Sequence, residues 1–232
     1  MRKVYITLIF IVMGCTTSPK SEAVLIFDQT EKREPLNENS LFSIYRTLSH
    51  GRITITEIID QSSSKSIVVY KAESPPYLLR TEAEERAKER KFEQDFISGL
   101  QAFEAPSKNL PKSFVYSVFV ASLYKLMQSQ ADQKSILVFS DLFEHAEFSF
   151  YKYRKKPLKI RNDYQKIVTQ LETYDTPLKN ADLSGIVISV VFHPSKKNDA
   201  LFREVRQFWT RYYQSKNAEI RFSNHIDNIF NK

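Results

Sequence analysis

The chain has 232 residues, 42% of them hydrophobic, and carries a formal net charge of +7. This length and composition suit one globular domain with a substantial core. A single cysteine excludes an intramolecular disulfide, and four glycines are too few for a glycine-rich phosphate loop or a dinucleotide fingerprint. The four histidines lack the spacing of a zinc site. Basic residues are spread along the chain rather than massed in one stripe, so no nucleic-acid partner is expected.

The N-terminal residues have the parts of a secretory signal. Two basic residues precede an apolar run from Val4 to Met13, and a small residue, Gly14, precedes Cys15. The apolar run is about half as long as the roughly 20 residues needed to span a bilayer. We therefore expect this segment to be removed on export rather than kept as an anchor.

The tetrad VMGC, which ends at Cys15, resembles the bacterial lipobox. The resemblance implies that Cys15 is acylated and becomes the first residue of the mature protein. We expect a signal peptide over residues 1–14, a lipidated tether over 15–22 and one domain over 23–232. The expected location is the bacterial cell membrane or outer membrane, with the lipid anchor as the membrane contact.

Elements with strand and helix patterns alternate along the rest of the chain. In chain order, the patterns predict a strand over 23–27, a helix over 41–48, strands over 53–59 and 67–70, helices over 81–103 and 112–128, a strand over 136–139, a helix over 163–174, a strand over 185–192, a helix over 201–212 and a strand over 219–222. This alternation predicts an α/β domain with a mainly parallel, doubly wound sheet, helices on both faces and one antiparallel edge strand. The first half of the helix over 81–103, EAEERAKERK, has almost no apolar face and should be exposed.

Two of the predicted buried strands end at aspartates. Asp28 ends the first strand, and Asp141 follows the strand over 136–139. Ligands of open α/β sheets bind beyond the carboxyl ends of the strands. If these two strands are parallel, both carboxylates lie at one edge of the sheet, which makes this edge the candidate site.

The strands VLIFDQT, ILVFSD and GIVISVVF, with the helix that follows the last, resemble a von Willebrand factor A domain over almost all of residues 23–232. Such domains often carry a metal-ion-dependent adhesion site, built from an Asp-x-Ser-x-Ser loop, a later Thr and an Asp after the fourth strand. The resemblance assigns Asp28, Thr30 and Asp141 to this site, with Ser113 as a stand-in for the Thr. A hard divalent cation such as Mg²⁺ or Mn²⁺ would suit these oxygens.

Lys32 departs from that pattern, because it stands where the second Ser of the loop belongs. An ammonium group cannot ligate a cation, and it could instead neutralise Asp28. Lys32 therefore favours a degenerate site without a cofactor, and a magnesium or manganese site is the alternative.

The segment after Asp141 is rich in aromatic residues without helical spacing. Phe148 and Tyr151, with His145 and Lys32, form the predicted binding surface, since aromatic residues are enriched at the centres of interfaces. The densest basic run, Lys152–Lys159, is interpreted either as a solvated loop or as a contact for lipid head groups or an acidic partner.

Together these features predict a membrane-anchored, non-catalytic protein-binding or assembly component of the bacterial envelope, with an unidentified protein partner. The alternative is a phosphohydrolase resembling the haloacid dehalogenases, with Asp28 as nucleophile and Ser140 as the Ser or Thr that such enzymes carry after the next strand. That mechanism needs a second acid two residues on, where Thr30 stands, and without it the leaving group is not protonated. Acidic residues clustered around Asp28 in space would favour the alternative.

Overall fold

The computed structural model describes residues 21–28, 44, 51–58, 66–70, 81–103, 112–174, 178–192 and 198–226. The strands are β1 (Ser21–Asp28), β2 (Gly51–Ile58), β3 (Ser66–Tyr70), β4 (Gln133–Phe139), β5 (Ile186–Val191) and β6 (Glu219–Ser223). The helices are α1 (Glu82–Gln101), α2 (Val115–Gln128), α3 (Lys159–Asn162), α4 (Tyr164–Tyr174) and α5 (Asp199–Gln214), with a 3-10 helix at Phe150–Tyr153. Of the helix predicted over 41–48, the structure describes Ile44, which is helical and buried.

The six strands form one sheet in the order β3-β2-β1-β4-β5-β6. Five strands run parallel, and β3 lies antiparallel to β2 at the edge. The connection between β2 and β3 is too short for a parallel crossover, which needs a dozen residues or more. The predicted fold class, an α/β domain with a mainly parallel sheet and one antiparallel edge strand, is confirmed.

Helices cover both faces of the sheet, as β1 shows most clearly. Val24 and Ile26 belong to the core cluster that contains residues of α2, α4 and α5. Leu25 and Phe27 belong to the opposite cluster, with the buried phenylalanines of α1. Alternate side chains of a strand point to opposite faces. A strand buried on both faces must therefore be apolar throughout, which explains the continuous run in the sequence.

Helix α1 begins with a capping box and buries only its second half. The Thr81 hydroxyl accepts a hydrogen bond from the Glu84 N–H, and the Glu84 carboxylate accepts one from the Thr81 N–H. Its buried residues are Phe92, Phe96, Gly99 and Leu100. The expected exposure of its first half is confirmed.

The first strand begins earlier in the chain than predicted. Strand β1 begins at Ser21, so the last two residues of the predicted tether, Ser21 and Glu22, belong to the sheet instead. Glu22 is buried and lies 3.6 Å from Arg52 of β2 in an ion pair, which joins the start of β1 to β2.

No helix in the part of the chain that the structure describes is both long and apolar enough to cross a membrane.

Candidate functional site

The candidate site lies at the carboxyl ends of β1 and β4, where the strand order reverses. From β1 the chain continues to β2 and β3 on one side, and β4 lies on the other side. Such a switch point is where open α/β sheets bind ligands. Phe27 and Phe139 are partners in the parallel register, so Asp28, the last residue of β1, lies beside Ser140, the first residue after β4. The structure thus brings Asp28 and Asp141 to one edge, as expected from the sequence.

A buried hydrogen bond joins the two strand ends. The Ser140 hydroxyl donates to Asp28 Oδ2 at 2.7 Å, and the same hydroxyl oxygen accepts from the Leu142 N–H at 2.9 Å. Asp28 and Ser140 are both almost fully buried. A buried carboxylate requires donors of this kind, because an uncompensated charge is costly away from water. Ser140 fits the Ser or Thr that the phosphohydrolase alternative requires, and it was not assigned to the adhesion site.

Asp141 shapes the turn that follows β4. Its Oδ1 accepts a hydrogen bond from the Phe143 N–H at 2.8 Å, two residues on, in an Asx-type turn. Leu142 has a φ of 58°, a left-handed conformation that is uncommon for a residue with a side chain. The indole N–H of Trp209 in α5 donates to the Leu142 carbonyl at 2.9 Å. Helix α5 therefore holds this turn in place.

Glu144 is an acidic residue at the site that the sequence analysis missed. Its Oε2 accepts a hydrogen bond from the Tyr116 N–H at 2.7 Å, in the first turn of α2. Helix α2 has no side-chain cap from its own N-cap residue, Phe114. Glu144 therefore caps the helix from another part of the chain and lies at the positive end of the helix dipole.

The pKa of Glu144 is raised from 4.5 to about 8. Burial is the main cause, and the negative charge of Asp28 also raises the pKa, whereas the N–H groups of Tyr116 and Val115 lower it. A carboxyl with this pKa is mostly protonated at neutral pH. Glu144 and Asp28 consequently share the site with less repulsion than two carboxylates would have.

Ser113 and His145 are paired next to this turn. Their backbones exchange two hydrogen bonds of 2.9 Å, so Ser113 is brought beside the segment that follows Asp141. The Ser113 hydroxyl is buried and makes no hydrogen bond within the described residues. His145 is half-buried, with Nδ1 2.8 Å from the Ser149 hydroxyl and its ring edge-on to Tyr151.

The prediction that Phe148 forms part of an exposed binding surface is wrong. Phe148 is 2% exposed, and its ring packs edge-on against Phe150 at 4.9 Å. Phe150 in turn packs against Phe208 of α5. The aromatic segment folds back onto α5 through a 3-10 helix, which explains its lack of helical spacing. Tyr151 stays half-buried at the surface, beside His145.

Three predicted site residues, Cys15, Thr30 and Lys32, lie outside the described residues. The described oxygens do not form a metal site by themselves. Asp28 and Asp141 each accept a hydrogen bond from the protein itself, and the described residues contain no group of three acidic, histidine or cysteine side chains suited to a metal. Whether Thr30 and Lys32 complete or block such a site stays a prediction.

The acidic residue near Asp28 bears on the phosphohydrolase alternative. Glu144 is the kind of neighbour that this alternative would favour, but its carboxyl is committed to the N-terminus of α2. The Ser140 hydroxyl also occupies Oδ2 of Asp28. Both features suit a structural arrangement better than a nucleophile with an acid beside it.

No family model matches the sequence, and no curated protein matches it. Among solved structures, proximal thread matrix protein 1 from the mussel byssus aligns with 91% of this chain at 7% identity and a TM-score of 0.37, and the chain spans 44% of that protein's length. A structure of the same mussel protein with a zinc-occupied MIDAS motif aligns at 8% identity and a TM-score of 0.37, over 91% of this chain and 43% of that one. An aerotolerance-related membrane protein from Bacteroides fragilis, with multiple mutations to serines, aligns at 10% identity and a TM-score of 0.34, over 90% of this chain and 94% of that one. Because these identities and TM-scores are low, the fold is assigned from the strand order and the site is described from its own geometry.

Proposed function

We propose that this protein is a lipid-anchored, non-catalytic binding or assembly component of the bacterial envelope, built on a von Willebrand A-like domain. Its binding site is the carboxyl edge of β1 and β4. The observation that carries this proposal is the convergence of Asp28, Ser140, Asp141 and Glu144 at the switch point of the sheet, each held by a hydrogen bond within the protein.

The state of the acidic groups supports binding rather than catalysis. Asp28, Asp141 and Glu144 are each at most 2% exposed. A nucleophile or a general acid must reach its substrate within hydrogen-bonding distance. Carboxyl groups that cap a helix and tie two strand ends together instead give a rigid base, beside which His145 and Tyr151 can contact a partner.

The position of the first strand supports the anchored arrangement. Ser21 begins β1 at the amino edge of the sheet, and eight residues of strand, roughly 25 Å, separate it from Asp28 at the carboxyl edge. A tether from Cys15 to residue 20 reaches about 20 Å when extended. The carboxyl edge therefore lies at the opposite end of β1 from the proposed anchor.

The anchor is tested by metabolic labelling with a fatty-acid analogue. The unmodified protein should take up label and fractionate with membranes, and Cys15→Ser should take up none, because the chain has no other thiol to become the acylated N-terminal residue. Label on Cys15→Ser would contradict the anchor.

The location of the binding site is tested by photocrosslinking in cells. A photoreactive residue at Glu147, which is exposed beside the site, should crosslink a discrete protein partner. The matched control is Asp132, which is exposed just before β4 at the amino edge. Crosslinks from position 132 alone would place the partner at the wrong edge and contradict the proposed function.

A further inference from the structure

A basic loop, defined as residues 154–159 (RKKPLK), extends from the segment that folds against the candidate site. The Phe150 N–H donates to the Glu144 carbonyl at 3.0 Å, and the Tyr151 ring packs edge-on against Phe143 at 5.5 Å. These contacts tie the 3-10 helix to the turn after β4. The basic loop follows this helix directly and so belongs to the surroundings of the site.

The positive charge of the basic loop is not neutralised within the described residues. Its four basic side chains are exposed and form no ion pair there; they are Arg154, Lys155, Lys156 and Lys159. The acidic groups nearby have other partners. Asp163 accepts a hydrogen bond from the Tyr153 hydroxyl, and Glu204 binds Arg161. Burial, followed by the nearby charge of Lys166, lowers the pKa of Lys152, and the charge of Asp163 partly opposes this shift.

An exposed apolar side chain lies within these charges. Leu158 is 65% exposed, the highest value among the large hydrophobic residues that the structure describes. Its side chain is therefore open to contact with another molecule beside the basic groups.

The basic loop is held in one conformation. The Lys156 N–H donates to the Tyr153 carbonyl and the Ile160 N–H to the Pro157 carbonyl, both at 2.9 Å. Tyr153 and Ile160, which flank the loop, are buried. A preorganised surface loses little conformational entropy on binding.

We propose that the basic loop is the rim of the binding site and binds an acidic segment of the protein partner, with Leu158 contacting an apolar side chain of that segment. This inference rests on the proposed function, since it names the chemistry of the partner at the same edge of the sheet. Complementary charge at a rim steers association and selects the partner.

A membrane surface is the competing occupant, because basic clusters are attracted to anionic lipids. The position of the loop disfavours it. The chain enters the sheet at Ser21 on the amino edge, and the segment that carries the basic loop contacts Glu144 beyond the carboxyl edge. A tether of about 20 Å keeps the amino edge, rather than the basic loop, near the bilayer.

The test uses the purified full-length protein and a fluorescein-labelled peptide of ten glutamates interrupted by two leucines, followed by fluorescence anisotropy at low ionic strength. The triple variant Lys155→Gln, Lys156→Gln, Lys159→Gln should bind this peptide at least about fivefold more weakly, given the usual size of surface charge pairs. Leu158→Ser should weaken it as well. The matched control removes three cations from the exposed half of α1, with Lys88→Gln, Arg90→Gln and Lys91→Gln, and should change the affinity less than twofold.

Three outcomes overturn the inference. In the first, a peptide with glutamine in place of glutamate binds as tightly as the acidic peptide. In the second, the α1 control variant loses as much affinity as the triple variant of the basic loop. In the third, the protein binds phosphatidylglycerol vesicles through the basic loop but does not bind the acidic peptide. Each leaves the proposed function standing if the crosslinks from position 147 persist. If position 147 gave no crosslinks while the acidic peptide still bound through the basic loop, the proposed function would be wrong instead.

Discussion

Buried acidic groups are held differently in the helical layer and at the carboxyl edge of the sheet. In the helical layer the acids have cations: buried Glu204 forms two hydrogen bonds with Arg161, and partly buried Glu172 lies 3.0 Å from Lys216, whose side chain is 8% exposed. At the carboxyl edge Glu144 is held by the neutral N–H of Tyr116, and its pKa is raised to about 8.

This difference separates groups that stabilise the fold from groups that define the site. A paired buried charge is compensated and holds elements together, as Glu172 and Lys216 hold α4 to the end of α5. A buried carboxyl whose pKa is strongly raised costs stability once it ionises. Glu144 is a group of the second kind, and it lies at the carboxyl edge near Asp28.

The largest effect is expected in the helical layer, on replacing Lys216 by methionine. Lys216 Nζ donates to Glu172 and to the carbonyls of Leu178 and Lys179. Lys216→Met should lower the free energy of unfolding by about 3–5 kcal/mol, because it removes the cation of a largely buried acid, which keeps only the Tyr212 hydroxyl as donor, and it removes the donor of two carbonyls. Urea denaturation measures the loss. Lys179→Met, at an exposed side chain, is the control and should change stability by less than about 0.5 kcal/mol.

Removing the charge of Glu144 should stabilise the protein, whereas removing the charge of Lys216 should destabilise it. Its pKa is raised from 4.5 to about 8, so between these pH values the folded protein retains a proton that the unfolded chain releases. The free energy of unfolding should therefore fall as pH rises through this window, by about 1.4 kcal/mol per pH unit. Glu144→Gln keeps an acceptor for the Tyr116 N–H and should be more stable than the unmodified protein by about 1–3 kcal/mol at pH 8.

The control for Glu144→Gln is Glu147→Gln, which alters an exposed acid in the same segment. It should leave the pH dependence of unfolding unchanged. If Glu144→Gln were less stable at pH 8, or if the slope with pH persisted in it, the difference between the two regions would disappear.

A smaller loss is expected for Ser140→Ala. This change removes the hydroxyl that donates to Asp28 and accepts from the Leu142 N–H. Unfolding by urea should show a loss of about 1–2 kcal/mol, the usual cost of a buried polar group left without its partner. Ser184→Ala, at an exposed residue, should show no measurable loss; an equal loss in both would mean that the buried hydrogen bond contributes nothing.

The sequence was sufficient to predict the strands of the sheet and the edge at which Asp28 and Asp141 meet. Continuous apolar runs predicted β1, β4 and β5, because strands buried on both faces tolerate few polar residues. The ends of two such runs placed Asp28 and Asp141 together. Both inferences depend on local patterns and on the general behaviour of parallel sheets.

Glu144 and Phe148 depend on contacts that local patterns do not encode. Glu144 caps a helix that begins 29 residues earlier, and no motif links the two positions. Phe148 is buried because its segment folds onto α5 some 60 residues later in the chain, through Phe150 and Phe208. Aromatic residues without helical spacing are compatible with either a surface or a core position, and the packing of Phe148 shows that it lies in the core.

The most direct test of a metal-free binding site is calorimetric titration of the full-length protein with Mg²⁺ and with Mn²⁺. Asp28 and Asp141 already accept hydrogen bonds from Ser140 and Phe143, and the sequence pattern predicts Lys32 at the position of an oxygen ligand. We expect no binding heat at millimolar cation and no rise in melting temperature, whereas Lys32→Ser should gain cation binding because it restores a ligand and removes a competing charge. Millimolar or tighter binding by the unmodified protein would contradict the account.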